Sequence, residues 1–149
     1  MYPHQHIILG FLFALILFLV FPQIGLIRAS IIFLSSFLID IDHYLAYAIH
    51  RKDWNLFNSI KWYYSLKDRC KLLSRKERNN YYVYLCFLHS FELLTVFLIL
   101  SFTFSIYFFF LLTGFLFHMT LDFIHDTKYI DRFDKISIIY DFFKYKKLK

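Results

Sequence analysis

Glycine occurs three times and proline twice in 149 residues, so neither a collagen-like repeat nor a Gly-rich linker is available. Cysteine occurs twice, at Cys70 and Cys86. The two show no close metal-ligand spacing, cannot frame a disulfide-rich fold, and favour no redox compartment. Glutamate is used only at Glu77 and Glu92, and long stretches carry almost no charge of either sign. What fills the chain instead is apolar: 59% hydrophobic and 23% aromatic residues, with a mean hydropathy of +0.50. An ordinary soluble domain is roughly half apolar, so the composition excludes a disordered chain and argues against a soluble globule. The length allows one domain at most, 1–149.

A net charge of +6 suits nucleic acid in its sum but a membrane in its placement. From Ile7 to Ile39 the only formal charge is Arg28, and Pro22-Gln23-Ile24-Gly25 breaks the run, which reads as a helical hairpin. From Tyr81 to Leu121 the only charge is Glu92, over about twice the ~20 residues a membrane-crossing helix needs. A second hairpin fits, turning near Ser101 to Ser105. Nine of the seventeen basic residues lie between the hairpins, from Arg51 to Arg78, and seven more follow Asp126. The positive-inside bias keeps both segments in the cytoplasm. The expected fold is therefore all-α, an integral membrane four-helix bundle of two hairpins. Its spans cover about 5–21, 24–41, 82–102 and 105–124, with an interfacial helical loop over 44–80 and a basic C-terminal tail over 127–149. Both termini are expected in the cytoplasm of a cell or inner membrane. The first apolar run has no basic n-region and no small-x-small cleavage site, so it is expected to be retained.

In the basic loop, Trp54, Leu56, Phe57, Ile60, Trp62, Tyr63 and Leu66 alternate with charges as in a helix lying on anionic headgroups. Membrane lipids are thus the first expected partner, and nucleic acid is disfavoured because membrane flanks explain such residues more simply.

Ionisable groups within spans are costly and usually face the bundle interior. This chain has His4 and His6 at the start of span one and Asp40, Asp42 and His43 at the end of span two. His89 and Glu92 lie in span three, and His118, Asp122, His125 and Asp126 in span four. The charge-derived topology puts all of them toward the cytoplasmic ends, in one layer where a bundle interior can collect them. His89 and Glu92 are three apart and His118 and Asp122 four apart, so each pair is expected on one helical face. Histidine with carboxylate and no thiolate is the ligand set of a catalytic zinc, manganese or iron site. Asp126, His125 and His6 read more simply as hydrated helix-end groups. Ser90 beside His89 does not make a dyad, because adjacent helical residues point about 100° apart.

His4 with Ile7-Ile8-Leu9-Gly10, then Leu38-Ile39-Asp40-Ile41-Asp42-His43, His89-Ser90, and Gly114 with His118 and Asp122 together resemble the YdjM-like family of membrane-bound metal-dependent hydrolases. The motifs run in the same order across nearly the whole chain. That family is similar to the zinc-dependent phospholipase C and P1 nuclease group, whose metal clusters cleave phosphate esters. The resemblance implies metal-site roles for His4, Asp40, Asp42, His43, His89, His118 and Asp122. The chain departs from the pattern at Tyr84, Leu85, Cys86 and Leu88, where the family has His, Arg, Gly and Thr, and at Ile39, where it has Pro. Glu92 stands as the substitute ligand for the lost His.

The leading functional expectation is a hydrolase of phosphoesters, lipids among them, using a divalent ion, zinc first with manganese and iron as alternatives. Glu92 and Asp42 are the candidates for the general base. The competing expectation is a non-enzymatic metal-binding, carrier or anchor protein with a partner-recruiting basic loop. Transport is weakened by the outer halves of the spans, which hold little polarity besides Arg28, Ser30, Thr95 and the Ser101 to Ser105 turn.

Overall fold

The structure, a computed structural model, describes residues 1–80, 86–129 and 137–148. Among these every regular element is helical. Helix α1 (Pro3–Val20) opens with Pro3 in its first turn, where the missing N–H costs nothing. A 3₁₀ turn, Pro22–Ile24, leads to α2 (Gly25–Leu38), and Gly25 takes φ 72° at the joint. The expected first hairpin is thus where the Pro-Gly signal put it. After a two-residue break come α3 (Ile41–Arg51), α4 (Leu56–Leu72) and α5 (Arg75–Asn80). Then follow α6 (Phe91–Thr103), α7 (Tyr107–Tyr129) and α8 (Ile138–Leu148). The start of the expected third span, 82–85, and parts of the expected tail lie outside the described residues.

Among the described residues, three helices are long and apolar enough to cross a bilayer: Pro3–Val20, Pro22–Arg51 and Tyr107–Lys128. Phe91–Thr103 is a shorter apolar helix. Only 17% of the Pro3–Val20 window is buried inside the protein, so most of its Ile, Leu and Phe side chains face outward. Such an extended apolar surface marks a chain whose solvent is lipid.

The chain divides into two compact units, one of Met1–Ile39 with Phe91–Ile124, the other of Asp40–Ser90 with His125–Lys149. The first is packed through its small residues. On α1 the buried positions are His6, Gly10 and Ala14, one turn apart each. A Cβ on Gly10 would stand 1.9 Å from Ser36 Oγ on α2. A Cβ on Gly114 of α7 would stand 1.9 Å from Ser35 Oγ and 2.4 Å from the Ile32 carbonyl oxygen. With no hydrophobic drive between helices in lipid, such close backbone approach is the main source of association. Ser35 and Ser36 donate their hydroxyls to the carbonyls of Ile32 and Phe33, so neither brings an unsatisfied group to the contact. Phe13 stacks on Phe117 at 4.0 Å and Phe97 meets Phe115 edge-on at 5.2 Å. Arg28 is accommodated by the Gln23 carbonyl and the face of Phe110 at 5.5 Å.

The second unit is organised around the α3–α4 joint. Asp53 accepts from the Tyr47 hydroxyl at 2.6 Å, the Asn55 N–H at 2.9 Å and the Asn58 side chain at 2.9 Å. Asn55 caps α4 by accepting from the N–H groups of Phe57 and Asn58. Trp62 and Tyr63 turn inward, against Tyr47 at 5.3 Å and His43 at 5.1 Å. The loop expected as interfacial is therefore helical, with two of its aromatics used in packing. Trp54, Leu56 and Phe57 remain exposed. Ser74 and Glu77 form a reciprocal capping box at the start of α5.

Two predictions follow from this packing. In detergent, Gly10→Ala and Gly114→Ala each destabilise by about 1–3 kcal/mol through overpacking. Adding Ser36→Ala relieves Gly10→Ala, whereas Ser35→Ala does not relieve Gly114→Ala, because the Ile32 backbone remains in the way; thermal unfolding of the four variants checks this. The Tyr47 hydroxyl bond holds the Asp53 carboxyl below its usual range. Its stabilising contribution is therefore complete above the unfolded value of about 3.9 and disappears as pH falls through the lower folded value. Tryptophan fluorescence should report an acid transition at the α3–α4 joint that Asp53→Asn abolishes.

Candidate metal centres

In the first unit α1 and α7 bring His6, His118 and Asp122 together. Gly114, His118 and Asp122 are each four apart on α7, so the glycine that admits α2 lies one turn from the histidine. His118 is fully buried, and its Nδ1 lies 2.8 Å from the Ser36 carbonyl oxygen. A carbonyl only accepts, so Nδ1 carries the proton. Ser36 is among the last four residues of α2, whose carbonyls lack an intrahelical partner; the ring supplies one. Its Nε2 is directed at Asp122 Oδ2, 3.4 Å away. His6 stacks on His118 at 3.8 Å between ring centres and donates Nε2–H to Asp122 Oδ1 at 3.1 Å. The Met1 amino group also donates to that oxygen.

In the second unit Asp40 stands at the N-cap position of α3, with Asp42 and His43 in its first turn. The segment Cys86–Ser90 is not helical, yet it is closely held. Asp42 Oδ2 accepts from the Leu88 N–H at 3.1 Å and from His89 Nδ1 at 3.0 Å. His89 is thus oriented by a carboxylate through Nδ1, the arrangement that turns a histidine into a metal ligand through its other nitrogen. His89 Nε2 then faces Asp40 Oδ1 at 3.6 Å, and His43 Nε2 lies 3.5 Å from the same oxygen. Cys86 Sγ is 2.9 Å from His43 Nδ1.

These distances have a common meaning. At 3.4–3.6 Å the contacts are long for hydrogen bonds. Two ligands about 2.1 Å from one tetrahedral ion stand about 3.4 Å apart. On a neutral ring of His89 or His118 that nitrogen is an acceptor facing an acceptor, an arrangement that either a proton on the ring or a metal ion between the two satisfies. Buried histidine, aspartate and cysteine groups that could hold a metal are therefore present in the fold.

The expected residues are placed as follows. Asp40, Asp42, His43 and His89 come together in the second unit; His118 and Asp122 do so in the first. His89 does not share a helical face with Glu92: α6 begins at Phe91, because the preceding residues are drawn onto Asp42. Glu92 lies half-buried in the first turn of α6, where a negative charge suits the helix dipole. His4 is exposed and stacks on Tyr2, whereas His6, expected at the wet helix end, is 1% exposed. Its signal was the stripe His6, Gly10, Ala14. The ligand set was expected to lack a thiol, whereas Cys86 stands with Asp42 and His43 in one group that could hold a metal; nothing in its spacing points to partners more than forty residues earlier. His125 pairs with its neighbour Asp126 at 3.0 Å.

Comparison with protein-family models, with curated proteins and with solved structures finds no match to this chain.

The Asp42 bonds give a direct prediction. Asp42→Ala removes the acceptor of the part-buried Leu88 N–H and of the buried His89 Nδ1, at a cost of about 1–3 kcal/mol for the buried group and less for the other. Hydrogen exchange at the Leu88 amide should accelerate strongly in this variant, and unchanged exchange would show that the carboxylate does not hold the segment.

Proposed function

We propose that the chain is a membrane-bound metal-dependent hydrolase of the YdjM-like kind, acting on phosphoesters, lipids among them, at the cytoplasmic face. The observation that carries the metal reading is the Nδ1 fixation of two histidines, His89 by Asp42 and His118 by the Ser36 carbonyl. Each ring is turned so that Nε2 faces a carboxylate, Asp40 in one unit and Asp122 in the other. Each of these pairs supplies ligands for a divalent ion, zinc first by donor type with manganese or iron acceptable. Such an ion lowers the pKa of a water and offsets charge on the phosphoryl oxygens. The protein's own part is orientation. Asp42 is committed to His89 and the Leu88 amide, which leaves Glu92 as the carboxylate proposed to take a proton from the attacking water. The basic residues that flank the spans, sixteen of seventeen, attract anionic headgroups and keep both ends in the cytoplasm. This reading is supported by the order of sequence motifs and by the histidine geometry.

Elemental analysis of detergent-purified full chain tests it. Wild-type protein should carry stoichiometric zinc, manganese or iron, and His89→Ala with His118→Ala should lose the metal that these two pairs hold, together with phosphoesterase activity. Wild-type protein that holds no metal after reconstitution would overturn the reading in favour of a membrane anchor. Full metal without hydrolysis of any phosphoester would leave a metal-binding protein.

A further inference from the structure

Asp42, His43 and Cys86 converge in a way that the pairs above do not need. Cys86 and Asp42 are each 1% exposed and His43 8%, and one donor atom from each lies within 4.8 Å of the other two. Both neighbours address the same ring atom. Cys86 Sγ is 2.9 Å from His43 Nδ1, and Asp42 Oδ1 is 3.6 Å from it. Asp42 divides its oxygens: Oδ2 takes the Leu88 and His89 protons, while Oδ1 is turned to the His43 edge at a distance too long for a sound hydrogen bond. Sulfur, imidazole nitrogen and carboxylate oxygen form a borderline-soft donor set, suited to zinc-class ions and poorly matched to magnesium, calcium or manganese.

We infer that Asp42, His43 and Cys86 bind a zinc-class cation as a structural staple, separate from the Asp40–His89 and His118–Asp122 pairs. Burial of all three side chains, rather than the number of ligands, marks the trio as structural: a tetrahedral ion held by three protein donors takes a water in its fourth position. It ties the first turn of α3 to Cys86–Ser90, the segment that carries His89 without a helix of its own. Binding sends the thiol proton to solvent and places the thiolate on the ion. Two ligands of one zinc, at about 2.3 and 2.0 Å, stand about 3.5 Å apart, so seating the ion parts Sγ from Nδ1 by roughly half an ångström. The smaller movement required of Asp42 Oδ1 leaves its other oxygen on the Leu88 amide.

Cobalt(II) loaded into the detergent-purified full chain is the probe, because a thiolate ligand gives a near-ultraviolet charge-transfer band that nitrogen and oxygen ligands do not. The band is expected in wild type, in Cys70→Ser and in His118→Ala, and should vanish in Cys86→Ser with a loss of about one equivalent of metal. If Cys86→Ser fails to fold, Cys70→Ser decides alone, since its remaining thiol is Cys86. Cobalt bound without the band, or Cys86→Ser keeping the wild-type stoichiometry, overturns the staple and leaves the proposed hydrolase centre standing. A chain that takes up no cobalt overturns both.

Discussion

The approach of Gly114 to the backbone of α2 is the contact on which the first unit depends. A side chain there would meet the Ile32 carbonyl at 2.4 Å, so the two helices come together only because the position has no Cβ. Periodicity does the rest. One turn along α7 from Gly114 is His118, and one turn along α2 from Ile32 is Ser36. The same close approach therefore puts the imidazole on a carbonyl at the end of α2 that has no partner in its own helix. A backbone packing contact and the orientation of a candidate ligand are a single geometric event.

The second unit reaches a similar result by another route. Here a carboxylate rather than a carbonyl holds the histidine, and the residue held is not in a helix. Asp42 sits in the first turn of α3 and gathers the Leu88 amide and the His89 ring with one oxygen. A buried carboxylate is expensive unless it is engaged, and Oδ2 of this one is engaged by donors from a segment outside any helix. The cost of burying Asp42 is thus offset by the ordering of His89. Aromatic packing of Tyr63 on His43 and of Trp62 on Tyr47 closes the other side of α3.

The outward surface follows from the same economy of polar groups. The interior of the first unit combines small and polar residues, His6, Gly10, Ala14, Ser35, Ser36 and His118, with Ile32, Leu94, Leu112 and Phe115, while most of the large apolar residues of α1 face away from it. Small residues at the helix contacts are what a lipid solvent favours, since close backbone approach rather than apolar burial drives association there.

The sequence by itself determined the helical class, the first hairpin at Pro22–Gly25, the apolar lengths that suit a bilayer, and the residue types Asp40, Asp42, His43, His89, His118 and Asp122 as candidates. These are local properties: charge-free length, turn residues, and polar side chains that are out of place. The second turn, with neither glycine nor proline, was legible only because the apolar run was too long for one helix, and it lies between Thr103 and Tyr107. Only the tertiary structure decided that His6 rather than His4 is buried, that His89 precedes its helix, and that Cys86 reaches His43. Each of these depends on a partner distant in the chain, and the reach of one side chain to another is fixed by how closely the backbones pack, which no spacing of letters records.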